Sequence, residues 1–190
     1  MQAEHPENNP AGVYKAPIFL KYLTGLLIVM TLVGFFIMFT EFGKDYLWTT
    51  TIFLGLEALI TLTILIQLAD TVSVIIVSSI IFLASYLVEW WGTNTGFPFG
   101  FYSYTDILQP IVNGVPLAIA FAWYVVTSTS ILAARYFLGN SSPLAAVAVS
   151  SVFILATDIL LEPFASFANG FWSWDSGIIP MQNFAAWLLL

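Results

Sequence analysis

The fold is decided by residues 46–88, which read YLWTTTIFLGLEALITLTILIQLADTVSVIIVSSIIFLASYLV. This stretch contains two apolar runs, Tyr46–Ala69 and Thr71–Val88, with Asp70 as the only residue between them. A helix needs about 20 apolar residues to cross the hydrocarbon core of a membrane, and both runs are close to that length. Because so little polar sequence separates them, we predict two membrane-spanning helices that form a tight antiparallel hairpin.

The composition of the whole chain agrees with a membrane location. Of its 190 residues, 59% are hydrophobic and only 8% are charged, and the mean hydropathy is +0.92. A soluble domain carries about 25% charged residues, and a surface with so few charges would expose large apolar patches to water. We therefore expect the surface to face the lipid bilayer, in a single-domain, multi-pass protein of the cell membrane.

Further apolar runs flank this hairpin on both sides. They comprise residues 22–40, 111–134, 144–161 and 181–190. The last run, MQNFAAWLLL, begins a sixth helix but is too short to cross at about 1.5 Å per residue, so we expect a C-terminally truncated chain. The predicted fold class is all-α, a polytopic transmembrane helix bundle with about five full spans and a partial sixth. Residues 1–16 would form a polar N-terminal tail, and residues 17–190 a single transmembrane helical domain.

The few cations and the single histidine exclude several classes of partner and cofactor. The four cations Lys15, Lys21, Lys44 and Arg135 are too few and too scattered to form a nucleic-acid-binding patch. The chain has no cysteine and its one histidine is His5, so we expect no disulfide, iron–sulfur cluster or metal site. Because cations favour the cytoplasmic side, we expect the N-terminus in the cytoplasm, which leaves only Lys44 outside.

Two segments rich in glycine, proline and aromatic residues interrupt the apolar pattern. They are residues 89–110, EWWGTNTGFPFGFYSYTDILQP, and residues 163–180, PFASFANGFWSWDSGIIP. The fourth and fifth predicted spans lie between them, so the chain crosses the membrane twice and both aromatic loops emerge on one face. Five carboxylic acids therefore cluster toward that face: Glu89, Asp106, Asp158, Glu162 and Asp175.

Asp158 and Glu162 are the strongest candidates for catalysis. They are four residues apart, which places both carboxyls on one face of a helix. Two carboxyls that share an apolar site cannot both ionise cheaply, so we expect at least one of them to be a neutral acid at pH 7. The alternative interpretation is that both are hydrated at the interface or cap the helix end.

Three further acids have a catalytic and a structural interpretation. Glu89 is either an acid/base partner or an interfacial charge beside two tryptophans, and Asp106 is either catalytic or a loop cap. Glu57 lies in the middle of the second span, where a carboxyl is costly unless it is paired or protonated. We expect Glu57 to be structural, with hydrogen bonds to threonine or glutamine side chains of a neighbouring helix.

The aromatic residues form a second signal. For any single ring, an ordinary interfacial belt is the simpler interpretation. However, the two loops are denser in aromatic residues than a belt requires, and Gly96, Pro98 and Gly100 constrain the backbone among those rings. Aromatic faces suit a flat conjugated ligand and stabilise a carbocation by cation–π attraction.

The second half of the chain resembles a known family. The segments EWWGTNTGFPFGFYSY (89–104) and GVPLAIAFAW (114–123), followed by Asp158, LEP (161–163), GFWSW (170–174) and GIIPMQNFAAW (177–187), are similar to the carotenoid biosynthesis membrane family. Characterised members of that family are carotenoid 1,2-hydratases. The resemblance implies a cofactor-independent enzyme that adds water to the terminal C1=C2 bond of an acyclic carotenoid and yields a tertiary alcohol. Family members continue beyond the NFxxW motif, which here ends at Trp187, and often have glycine where Ala186 stands.

We combine the resemblance with the residue chemistry to assign candidate roles. Asp158 or Glu162 would donate a proton to C2, and Glu89 or Asp106 would position the water that attacks C1. Gln182 and Asn183 would hydrogen-bond the acids or the water. The candidate pocket for the carotenoid end group consists of Trp90, Trp91, Phe97, Phe99, Tyr102, Tyr104, Trp172 and Trp174.

Two other functions remain open from the sequence. A carotenoid cyclase, or another isoprenoid-modifying enzyme, would use the same protonation, but an internal double bond would capture the cation. A non-enzymatic carotenoid- or lipid-binding membrane protein would use the aromatic loops as a platform and would need no acid. The sequence does not indicate the oligomeric state.

Overall fold

The computed structural model describes residues 18–38, 40–139 and 142–189. The helices in these residues are α1 (Ile18–Met38), α2 (Thr50–Leu68), α3 (Thr71–Thr95), α4 (Leu117–Leu138), α5 (Pro143–Glu162) and α6 (Met181–Leu189). The short strands are β1 (Tyr102–Tyr104), β2 (Ile111–Val112), β3 (Val115–Pro116) and β4 (Trp172–Trp174). A 3-10 helix, Glu41–Thr49, precedes α2, and a π-helix, Pro163–Ala168, follows α5.

Among the described residues, five segments are long and apolar enough to cross a membrane; one lies within α1 and the other four include α2 to α5. The short α6 follows them, so the predicted all-α bundle with five full spans and a partial sixth helix is confirmed. The predicted N-terminal tail, with His5 and Lys15, lies outside the described residues. The cytoplasmic placement of the N-terminus stays a prediction, because the spans alone do not define which side of the membrane is cytoplasmic.

The predicted hairpin of two spans is confirmed by α2 and α3. Helix α2 ends at Leu68 and α3 begins at Thr71. The Asp70 carboxylate caps α3 by accepting a hydrogen bond of 2.9 Å from the backbone N–H of Ser73. The same hydrogen bond lowers the pKa of the exposed Asp70 side chain below its usual value. One residue thus provides both the turn and the cap.

The boundary of the first aromatic loop differs from the prediction. Helix α3 continues to Thr95, so Glu89, Trp90 and Trp91 lie on a helix and not in a loop. The helix ends where Gly96 adopts a left-handed conformation with φ of 72°, which glycine tolerates without strain. The prediction ended the helix before Glu89, the first charged residue after the apolar run. In the structure the helix ends at Gly96, which adopts the left-handed conformation.

The start of the fourth span also differs from the prediction. Residues 111–116 form a hairpin of β2 and β3, and α4 begins only at Leu117. Both turn residues, Asn113 and Gly114, have positive φ, as a two-residue hairpin turn with an Asn-Gly sequence requires. The apolar run therefore includes a hairpin before the helix.

The two aromatic loops meet in a strand pair. Strands β1 and β4 are antiparallel, with Tyr102 opposite Trp174 and Tyr104 opposite Trp172. Because side chains alternate along a strand, the four rings point to one side, while Ser103 and Ser173 point to the other. The prediction that both loops lie on one face is confirmed.

The other helices surround α4, which is the most buried of the five spans. Helices α2, α3 and α5 all pack against α4, whereas α1 packs against α2 at the edge of the bundle. The main cluster of buried residues lies at the end of the bundle that carries the strand pair, and it includes Phe99, Trp123 and Trp174. The fold therefore concentrates its packing around the two aromatic loops.

Candidate active site

A cavity of about 190 Å³ lies beneath the strand pair, among α2, α3, α4, α5 and α6. Four carboxylic acids line it: Glu57, Glu89, Asp158 and Glu162. Seven aromatic side chains also line it: Phe99, Tyr102, Tyr104, Trp123, Trp172, Trp174 and Trp187. The rest of the wall is almost entirely aliphatic, so the acids are the main polar groups of the cavity.

Glu89 is held by three hydrogen bonds. Its Oε2 accepts from the hydroxyls of Tyr102 at 2.5 Å and Tyr104 at 2.7 Å. Its Oε1 accepts from the indole N–H of Trp123 at 2.8 Å. Trp123 in turn stacks on Trp187 of α6 with ring centroids 4.2 Å apart. Glu89 therefore links α3, α4 and strand β1 at the cavity wall.

The two tyrosines are hydrogen-bond donors in this arrangement. Burial raises the pKa of the Tyr102 and Tyr104 hydroxyls well above the usual value, and the nearby Glu89 raises them further. A phenol with a raised pKa keeps its proton, so both hydroxyls donate to the carboxylate.

Glu162 is held by the second aromatic loop. Its Oε2 accepts from the indole N–H groups of Trp172 at 3.2 Å and Trp174 at 3.1 Å. These tryptophans are ten and twelve residues further along the chain, on strand β4. The chain reaches them through the π-helix that begins at Pro163, which has no N–H to continue the α-helical hydrogen bonds. The proline directly after Glu162 thus marks the change of helix type beside the cavity.

Asn183 of α6 connects the two acids of α5. Its side-chain N–H group donates to Oδ2 of Asp158 at 2.9 Å and to Oε1 of Glu162 at 3.3 Å. All three residues are buried, with only 2–3% of their surface exposed. The predicted contact between Asn183 and the acids is therefore present in the structure, and Asp158 and Glu162 face the cavity together.

The donors to these acids are all uncharged. In residues 18–38, 40–139 and 142–189, the groups that hydrogen-bond Glu89, Asp158 and Glu162 are tyrosine, tryptophan and asparagine side chains. Because buried charges are normally paired with opposite charges, a cavity of carboxyls without cationic partners favours at least one neutral acid. Such a site is chemically suited to proton donation.

The glycines of the first loop permit its close packing on the cavity. A Cβ atom on Gly92, one turn after Glu89 in α3, would lie 2.8 Å from the ring of Phe99 and 3.0 Å from the hydroxyl of Tyr102. A Cβ atom on Gly100, which has φ of 110°, would lie 2.7 Å from Pro180. Both glycines therefore serve as points of close approach.

Several predicted site residues do not line this cavity. Trp90, Trp91 and Phe97 are 40%, 53% and 66% exposed and point away from it. Trp90 and Trp91 are exposed because α3 continues past them, and its helical turn buries Glu89 and exposes the two residues after it. The prediction that these three rings contact the end group is not supported by their placement.

Gln182 and Asp106 also lie apart from the acids. Gln182 donates to the backbone carbonyl of Gly96 at 3.3 Å and lines a separate apolar groove with Trp91 and Phe97. Asp106 is exposed in the turn after β1 and does not line the cavity. An exposed carboxyl outside the cavity has no access to a buried end group, which argues against its predicted role with water.

Three acidic or aromatic residues of the cavity were not among the predicted site residues. Trp123 and Trp187 lie in motifs that carry the family resemblance, so the motif pattern could have identified them. Glu57 was expected to bond threonine or glutamine on a neighbouring helix, but its carboxyl has no such partner in the described part of the chain and lines the cavity instead. Its position as the one charge inside an apolar run was the available signal.

A family model described as "Carotenoid biosynthesis protein" matches residues 47–190. Among curated proteins, the bisanhydrobacterioruberin hydratase of Haloarcula japonica is 32% identical over 113 residues, which are 56% of this chain and 38% of the hydratase. The chain therefore matches less than half the length of that relative. No solved structure matches the chain. Since the family model covers most of the sequence, including both aromatic loops and all four cavity acids, the chain belongs to the carotenoid biosynthesis protein family.

Proposed function

We propose that the protein adds water to the terminal C1=C2 double bond of an acyclic carotenoid end group and yields a tertiary alcohol, without a cofactor. The observation that carries the proposal is the pair Asp158 and Glu162, which share one asparagine donor in an aromatic cavity. The name of the haloarchaeal relative, a hydratase, supports the same reaction class.

The size of the cavity suits an end group and not a whole polyene. Its volume of about 190 Å³ is far above the roughly 10–15 Å³ that a cavity needs to hold one water. That space accommodates the terminal isoprene unit and a water molecule. The conjugated remainder would extend along the apolar surfaces of the bundle toward lipid.

Asp158 is the better candidate for the proton donor. Glu162 accepts from three side-chain donors, which favour its charged form, whereas Asp158 accepts from Asn183 alone. Its Oδ1 has no hydrogen-bond partner among the described residues and is free to carry a proton. A carboxyl with fewer donors is more readily neutral.

The first step is proton transfer to the alkene. The O–H bond of the Asp158 carboxylic acid breaks, its proton bonds to C2, and the π electrons of C1=C2 form that bond. C1 becomes a tertiary cation and Asp158 a carboxylate. The faces of Tyr102 and Trp174, together with the carboxylates of Glu89 and Glu162, would stabilise the positive charge.

The second step is capture by water. A lone pair of the water oxygen bonds to C1, and one O–H bond breaks as a cavity carboxylate takes that proton. Return of a proton to Asp158 completes the cycle, so the net change is the addition of one water. Tight packing of the loops would admit few waters and keep the cation from other nucleophiles.

Product mass in cells that make lycopene tests the proposal. We expect a product that has gained one water, and no such product when the cells carry Asp158→Asn. A product of unchanged mass with a new ring would contradict hydration and identify a cyclase. Pigment that copurifies with the wild-type protein without any conversion would identify a carotenoid-binding protein instead.

A further inference from the structure

Glu57 occupies a special place among the cavity acids. It is the only one on α2, whereas Glu89 lies on α3 and Asp158 and Glu162 lie on α5. Glu89 and Glu162 are hydrogen-bonded to the aromatic strand pair. Glu57 therefore reaches the cavity from a helix that carries none of the other three acids.

Helix α2 presents Glu57 to the cavity and Gly55 to another part of the bundle. Gly55 lies beside the ring of Phe121 on α4, and a Cβ atom there would be 3.5 Å from that ring. Gly55 and Phe121 line a separate groove to which Glu57 does not belong. Glu57 itself is only partly exposed, although it lies in the middle of a span.

Glu57 also differs from the other acids in its bonding. Glu89, Asp158 and Glu162 accept hydrogen bonds from neighbouring side chains, whereas the Glu57 carboxyl accepts none from residues 18–38, 40–139 or 142–189. A carboxyl at membrane depth is costly without a polar partner. Water inside the cavity would supply that partner, and hydration of an alkene requires a water molecule held in an otherwise apolar space.

We propose that Glu57 binds the attacking water and takes its proton, an inference that rests on the hydratase function proposed above. As the water oxygen bonds to C1, one O–H bond breaks and the proton bonds to a Glu57 carboxylate oxygen. The proton then passes from Glu57 through water to the Asp158 carboxylate, which lost one in the first step. The water role thereby falls to Glu57 and not to Glu89, whose oxygens are occupied by three donors.

Deuterium labelling separates the two steps. Membranes that contain the protein are incubated with lycopene in D₂O. Protonation by the acid places deuterium on C2, and a cation that is not captured by water loses a proton and returns as a labelled alkene. The measured quantity is the ratio of alcohol to labelled alkene, which does not depend on the amount of folded protein.

We expect Glu57→Gln to lower this ratio by about 100-fold, the lower end of the usual contribution of a general base. Labelled alkene should still form, because Asp158 is intact. Asp45→Asn is the matched control, since Asp45 is an exposed carboxyl outside the cavity, and it should leave the ratio unchanged. Glu57→Met provides a second test if the Gln variant does not accumulate, because it also removes the carboxyl and keeps a similar side-chain length, and it should also lower the ratio.

Three results would overturn the assignment of Glu57. They are an unchanged ratio in Glu57→Gln, an unchanged ratio in Glu57→Met, and a loss of labelled alkene together with alcohol while folded protein remains. The proposed function would survive any of them. In contrast, wild-type membranes that form neither alcohol nor labelled alkene would contradict the proposed function itself.

Discussion

Tyr102 and Trp174 lie opposite each other in the strand pair, with ring centroids 5.1 Å apart, yet they hydrogen-bond different acids. Tyr102 donates to Glu89 of α3, and Trp174 donates to Glu162 of α5. The strand pair therefore sets the relative position of two carboxyls from different helices. A displacement of either strand would move an acid as well as a ring.

Removal of the Tyr102 hydroxyl should weaken this arrangement. In Tyr102→Phe, the buried Glu89 carboxyl loses one of its three donors, which we expect to cost about 1–3 kcal/mol of stability. Thermal unfolding of the detergent-solubilised protein measures the effect. Tyr136→Phe is the control, because Tyr136 is 84% exposed and should be insensitive to the change. Equal stabilities of the two variants would show that the hydrogen bond from Tyr102 to Glu89 does not contribute to the stability of the fold.

Addition of one methyl group at Gly92 should disturb the packing around the Tyr102 hydroxyl by steric overlap. In Gly92→Ala, the new Cβ atom would lie 2.8 Å from the Phe99 ring and 3.0 Å from the Tyr102 hydroxyl, so both side chains must move. Overpacking of this kind costs about 1–3 kcal/mol. Gly34→Ala is the matched control, since no side chain among the described residues lies within 4 Å of its Cβ position in α1. We expect a lower unfolding temperature and slower carotenoid conversion for Gly92→Ala only, and an unchanged unfolding temperature would contradict the close packing.

The sequence predicts the spans and the meeting of the two aromatic loops because both follow from the length and the number of the apolar runs. Hydrophobic length determines how many helices cross, and two crossings between the aromatic loops place them on one face. The placement of Asp158 and Glu162 on one face of α5 follows in the same way from their spacing of four residues on a helix. These features require no knowledge of how the helices pack.

The remaining features depend on backbone conformation and on packing across the bundle. Helix α3 ends only at the left-handed Gly96, two turns after the predicted end of the span. Glu89, Trp90 and Trp91 therefore lie on the helix, which buries Glu89 and exposes the two tryptophans. Glu57 lines the same cavity as Trp123, which lies 66 residues further along the chain. A single sequence contains no signal for a contact between distant helices.

Replacement of the Asn183 amide should uncouple the two acids of α5. Asn183→Asp is nearly isosteric but replaces the N–H donors with a third carboxyl beside Asp158 and Glu162. Like charges and unpaired acceptors in a buried site destabilise the fold. We expect both the yield of folded protein in membranes and the conversion per folded molecule to fall. Conversion per folded molecule equal to that of wild type would show that the asparagine bridge has no part in the reaction.

The assignment of the proton donor predicts an order of effects at the two acids of α5. Asp158→Asn removes the proton that would reach C2, so both alcohol formation and deuterium entry into the alkene should fall by at least about 100-fold. Glu162→Gln keeps Asp158 and weakens only the contacts to Trp172, Trp174 and Asn183, so deuterium entry should decline less. The amount of folded protein, measured by gel filtration of a fluorescent fusion, normalises both rates. The two carboxyls share one asparagine, and only the carboxyl that carries the proton can start the reaction. An inactive Glu162→Gln variant together with an active Asp158→Asn variant would therefore assign the proton to Glu162.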